Sequence, residues 1–370
     1  MTKNYFIFIV SILFFLGCGE NSETSTPSNP DIPTQVTQEA RILGMDVKEI
    51  PSVSYSIAYG KAMSLGIREV SVSLDWSLLE PSLGSYDNTL PSIIDIFYPL
   101  QTGDLTLVLR PLDTPGPSLP AELKGRSYDD PTVIAAFEDF LTNLHAQLPT
   151  LNASGKLKWI QIGNEIDSYL GNDSTRWKQW QTFFQAAKSK VQSLWGASIQ
   201  VSSIVQFSVL NDPNKLVLYT NLLSDLDHAV LTYYPLNSDF TMRPVSTVAT
   251  DFAIMVNAIP NKTIALQECG YPSSAVNKSS ELQQADFITA VFEAWDKNIN
   301  KFSFIDLTWQ YDVSSSTLDQ WIIDYGMTGN INETAFREYL GTLGFNNFDG
   351  TEKMAMQRLQ DELKKRKWEQ

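Results

Sequence analysis

From residue 42 to residue 343 the chain alternates short β-prone apolar runs with longer amphipathic ones, eight times over. The strand-like runs fall at residues 42–47, 69–74, 105–109, 158–162, 199–205, 229–232, 263–267 and 302–308. Helical spacing marks the stretches between them, as in Val133, Ile134, Phe137, Phe140, Leu141 and Leu144. Helices are expected at 53–64, 131–148, 175–194, 213–226, 245–258, 281–297 and 334–343, with a poor candidate at 91–98. Strand and helix in strict alternation imply a parallel sheet with helical crossovers. A doubly wound sheet would want a glycine-rich turn after the first strand. The residues there are Asp46-Val47-Lys48-Glu49, with no such glycines. Eight units in about 300 residues predict instead a single α/β domain, a (β/α)8 TIM barrel over residues 40–347.

An apolar fraction of 43% within 370 residues is enough to fill such a barrel. The net charge of −15 argues against nucleic acid and anionic surfaces as partners, and a neutral substrate fits it better. The N-terminus reads differently. Lys3 precedes an apolar run, 5–16, too short to span a bilayer and of signal-peptide length. It ends in Phe15-Leu16-Gly17-Cys18, which resembles a bacterial lipoprotein cleavage box with Phe15 in place of the usual Leu. Residues 1–17 are therefore expected to be a signal peptide and Cys18 the lipidated first residue of an exported protein. That protein would be anchored to the bacterial cell envelope, at the outer membrane or cell surface. Residues 18–39, rich in Ser, Thr, Pro and Asn, read as a disordered tether. Residues 348–370 read as a charged C-terminal helix whose apolar stripe would be Met354, Met356, Leu359 and Leu363. Cys269 has no disulfide partner once Cys18 is lipidated.

In a parallel barrel the functional side chains sit at the C-terminal ends of the strands. Strand two ends in Asp75-Trp76, strand three in Arg110, and strand four in Gly163-Asn164-Glu165. Strand six ends in Tyr233-Tyr234, strand seven in Glu268 and strand eight in Trp309. Two glutamates on strands four and seven can face each other across one mouth, which is what double-displacement cleavage of a glycosidic bond needs. In that reading Glu165 is the acid/base, kept protonated by burial and by its partner's charge. Glu268 is the nucleophile, held ionised by Arg110 and by Tyr233 or Tyr234. Adjacent strand residues point to opposite faces, so only one of those tyrosines can reach the mouth. Asn164 would donate to the sugar 2-hydroxyl. Trp309 would offer a ring face to the sugar, and Trp76 would be a further substrate contact.

These residues resemble the glycoside hydrolases of clan A, whose barrels carry an Asn-Glu acid/base after strand four and a nucleophilic Glu after strand seven. The matching pieces are residues 159–166 (WIQIGNEI), 232–235 (TYYP), 267–272 (QECGYP), Trp309, and Trp76 through Glu80-Pro81 to Tyr86-Asp87. The GNEI and YYP stretches are most similar to the endo-β-1,4-galactanase family. Arg110-Pro111-Leu112-Asp113-Thr114 departs from that family's loop after strand three, and Gln267 replaces its usual Thr, so the galactan substrate does not follow. The resemblance implies a monomeric retaining β-glycosidase acting on a neutral oligo- or polysaccharide, with no cofactor. The alternative is a catalytically weak or inactive carbohydrate-binding lipoprotein on the same barrel. With His145 and His228 the only histidines, a Ser-His-Asp triad or histidine-rich metal site finds little material.

Overall fold

A computed structural model describes residues 37–368 apart from residue 39. The expected signal peptide, Cys18 and most of the tether lie outside the described residues.

The predicted barrel is present. Its strands are β1 (Ile42–Met45), β2 (Glu69–Asp75), β3 (Asp104–Arg110), β4 (Leu157–Ile162), β5 in two pieces (Gln200–Ser202 and Ile204–Gln206), β6 (Ala229–Tyr233), β7 (Ile264–Cys269) and β8 (Phe302–Leu307). All pairings among them are parallel, and β1 pairs with β8. Closure runs through β5. Its first piece pairs with β4 and its second with β6, with Ser203 at the break. The Ser203 hydroxyl donates to the Ile162 carbonyl at 2.6 Å and accepts from the Trp180 indole at 3.3 Å.

The interior alternates with the pleat. Val108, Trp159, Ile204, Val230, Ala265 and Phe304 form an apolar plug inside the barrel. Polar side chains share that interior. Thr106 donates to Glu69 at 2.5 Å, and Ser71 and Gln267 donate to Asp306 at 3.2 and 3.4 Å. Glu69 and Asp306 are both fully buried beside one another, an arrangement that disfavours two charges and favours a proton on the pair. Burial pushes the Glu69 carboxyl up to about 8.

The outer layer consists of α1 (Tyr55–Ser64), α2 (Thr89–Phe97), α3 (Pro131–Gln147), α4 (Ser174–Trp195), α5 (Pro213–Leu223), α6 (Val248–Ala258) and α7 (Glu281–Asp296). Local chemistry starts several of them. Asp130, Asp173 and Asp212 each accept a hydrogen bond from the first turn of the helix that follows, and Pro131 and Pro213 open α3 and α5. After β8 come α8 (Ser315–Asp324), outside the helices expected from sequence, and α9 (Glu333–Gly341), the expected closing helix. The C-terminal helix is α10 (Met354–Lys365), and it lies along α7. Ala355, Met356, Leu359 and Leu363 are its buried stripe, whereas Met354, expected there, is 41% exposed. Arg366 forks onto Asp296 at 2.6 and 3.1 Å, and Trp368 is buried against Phe292 and Trp295.

Candidate active site

The strand C-termini open into a cleft of about 1050 Å³. One wall is polar, built by Ser71, Ser73, Asp75, Arg110 and Asp113. The other is aromatic: Tyr234, Phe240, Trp309, Trp321, Tyr325 and Tyr339. Both glutamates open into it.

Glu165 is placed by the turn after β4. Gly163 has φ +79°, and a Cβ there would lie 2.6 Å from both Ile166 and Trp180, so only glycine fits. Glu165 itself has φ +43°, a left-handed conformation that side chains seldom adopt and that recurs at functional sites. The turn is fastened to its neighbours. Gly163 N–H donates to Leu109, Asn164 N–H to Leu112, and Ile166 N–H to Ile204. The carboxylate then accepts three hydrogen bonds, from Thr232 Oγ1 (2.6 Å), Thr114 Oγ1 (2.8 Å) and Gln206 Nε2 (3.0 Å).

Glu268 is placed by an irregularity. β7 changes register against β6 between Leu266 and Glu268. Gln267 turns in to Asp306 and the next residue still reaches the cleft, which a regular alternation would forbid. Tyr234 donates to Glu268 Oε2 at 2.6 Å. Burial and then the charge of Glu165 push the Glu268 carboxyl up to about 8, with the Tyr234 hydrogen bond opposing. Burial also raises Glu165, and its three donors hold it back. The two glutamates therefore titrate as a pair. Three donors favour charge on Glu165 and one, Tyr234, favours it on Glu268.

The remaining expected site residues divide. Asn164 lines the cleft, and its amide donates to Asp113 at 2.9 Å. Arg110 also lines it but is not the counter-ion of Glu268. Its guanidinium pairs with Asp75 at 2.7 Å and Asp113 at 3.3 Å, the nearer acids on the same rim. Tyr234 is the tyrosine that reaches the mouth. Tyr233 points the other way, fully buried, donating to Asp251 at 2.9 Å among Phe207, Phe252 and Phe287. Trp76 is no substrate contact either. It starts the helical turn Trp76–Leu79, which swings the indole into the core against Phe137 and Phe140, where it donates to Glu80 at 2.7 Å. Trp309 is in the cleft, but the Lys48 ammonium lies 3.7 Å over its ring centre and takes one face of the expected platform.

Sequence reasoning missed Thr114, Gln206 and Thr232. Gln206 ends β5, and Thr232 precedes Tyr233 on the inward side of β6, so the strand-end rule and the pleat could have found both. Trp321 of α8 and Tyr339 of α9 carried no such signal. Among the described residues no group of His, Cys, Asp and Glu is arranged to hold a metal ion.

No family model and no curated protein matches this sequence. Solved structures do match in fold. A GH5_18 protein from Streptomyces cattleya in complex with GlcNAc aligns with TM-score 0.65 at 15% identity, over 89% of this chain and 82% of its own. An exo-β-1,4-mannosidase from an Opitutaceae bacterium aligns with TM-score 0.64 at 13% identity, over 87% of this chain and 59% of its own. The GH53 catalytic domain of Ignisphaera aggregans gives 0.58 at 15% identity, over 81% and 87%. The chain shares the (β/α)8 fold of these structures, GH5_18 and GH53 proteins among them.

Proposed function

We propose that this chain is a retaining β-glycosidase of neutral oligo- or polysaccharides, with Glu165 as acid/base and Glu268 as nucleophile. One observation carries the reading: two electrostatically coupled carboxyl groups, from the ends of β4 and β7, open into the same aromatic-walled cleft. Hydrolysis needs their single proton on Glu165. A glycosidic oxygen bound beside Glu165 is an acceptor for that proton and favours the protonated form there. The charge then falls on Glu268, where Tyr234 stabilises it. Glu268 attacks the anomeric carbon as Glu165 protonates the leaving oxygen. Glu165, now ionised, draws the proton from a water that releases the sugar. Asn164, held by Asp113, faces the same cleft with an amide suited to a sugar hydroxyl. The reading includes a lipid anchor at Cys18, which rests on the sequence alone.

Azide separates the two roles. On aryl β-glycosides, Glu165→Ala with azide should release β-glycosyl azide, and Glu268→Gly with azide should release the α anomer. Unimpaired hydrolysis by either variant without azide would sink the assignment. Sugar binding by the wild type with no turnover on any bound glycoside would leave a carbohydrate-binding protein on the same barrel.

A further inference from the structure

The end of β1 carries a second charged pair that the two-glutamate chemistry does not use. Asp46 and Lys48 line the cleft, with Lys48 Nζ 3.8 Å from Asp46 Oδ2, beyond hydrogen-bonding distance. The ammonium lies 3.7 Å over the ring of Trp309 and 5.5 Å over that of Trp321. Lys48 thus sits between the Asp46 carboxylate and the Trp309 ring. An ammonium has three donors. Among the described residues Lys48 spends none of them on a hydrogen bond, although its side chain is only 27% exposed.

A lysine kept for structure looks different in this protein. Lys353, also in a confined position, donates to Asp312 at 2.7 Å and to Ser273 Oγ and the Thr342 carbonyl at 3.2 Å each. Lys48 has the confinement without the partners. Its donors open into a cleft that solvent reaches, beside an acid whose oxygens accept. The pair is close enough to Glu268 to feel its charge. That neighbourhood is where the sugar attacked at its anomeric carbon must lie.

We propose that Asp46 and Lys48 read a pair of adjacent hydroxyls on the sugar bound against Glu268, Lys48 donating to one and Asp46 accepting from the other. The inference rests on the glycosidase reading of the same cleft and names its ligand class: a neutral glycone with a free vicinal diol. An anionic sugar fits less well, since Asp46, Asp75, Asp113 and Asp324 all line the cleft against two cations, Lys48 and Arg110. Because Lys48 covers one face of Trp309, polar reading replaces stacking at that face.

The test uses full-length protein and the methyl β-glycosides of glucose, galactose, mannose and xylose, with binding measured by calorimetry. The glycoside bound best is then compared with its monodeoxy derivatives on wild type, Lys48→Met and Asp46→Asn, with circular dichroism as the folding control. A hydrogen bond to a charged group predicts a loss of roughly 10- to 100-fold when one particular hydroxyl is removed. Lys48→Met should lose as much on the intact sugar and nothing further on that deoxy sugar. Asp46→Asn should behave likewise for the neighbouring hydroxyl. If both variants bind as wild type does, or keep the full deoxy penalty at every position, the diol reading is overturned while the glutamate assignment stands. Binding with this pattern but no turnover would overturn the hydrolase alone. No binding of any of the four glycosides would overturn the diol reading, and the azide products would still report on the glutamates.

Discussion

Replacing Glu69 by Gln tests how the barrel interior carries acid groups. In the native protein neither Glu69 Oε2 nor Asp306 Oδ1 has a hydrogen-bond donor among the described residues, and burial of the two acids together favours a proton on the pair. Both groups are held above the ordinary carboxylate range in the fold but not in the unfolded chain. The folded state therefore keeps its proton while the unfolded state loses one, and stability falls as pH rises between the two values. A rise from 4.5 to about 8 for Glu69, at about 1.4 kcal/mol per pH unit, gives a ceiling of roughly 5 kcal/mol. In Glu69→Gln the amide can donate to Asp306 without any titrating proton. Urea unfolding followed by tryptophan fluorescence at pH 5, 7 and 9 should show wild type losing several kcal/mol across the series. The variant should lose much less and overtake wild type at pH 9. Parallel pH dependences for the two proteins would refute a proton held on this pair.

Three further outcomes follow from the site. Tyr234→Phe removes the donor to Glu268, so kcat/KM on a hydrolysed glycoside should fall about 10- to 100-fold. The alkaline limb of its pH profile should also move upward, because a carboxylate that loses a hydrogen bond is harder to ionise. Gly163→Ala puts a Cβ 2.6 Å from Trp180 at a left-handed backbone position, and should cost roughly 1–3 kcal/mol in denaturant unfolding. Cys18→Ala should abolish incorporation of labelled palmitate in the expressing bacterium and shift the protein from the membrane to the soluble fraction.

The barrel was legible because every strand is a compact β-prone run and every following stretch has its own periodicity. Where reading failed, local geometry had overruled pattern. Pro91 made α2 look poor, yet it lies in the first turn, where a proline costs no hydrogen bond. No helix was expected at α8, although Ser314 accepts from Thr317 N–H as its cap. Trp76 and Tyr233 stand at strand ends like the residues that line the cleft. A helical turn redirects the first, and the pleat sends the second outward. Arg110 has several carboxylates near it in sequence and at the mouth, and only distances single out Asp75 and Asp113 over Glu268. The ends of strands one and five were passed over as sites.

The break in β5 ties together two things usually discussed apart. Ser203 interrupts one strand, and the freed backbone of Ile204 takes up the turn that carries Glu165: Ile204 N–H donates to Gly163, and its carbonyl accepts from Ile166. The seam that shuts the cylinder is thus also the socket of a catalytic candidate. Damage there should register first as a misaimed acid and only later as a melted protein. Slowed amide exchange at Ile166 and Ile204 would report on the working alignment of the cleft as directly as on the closure of the barrel.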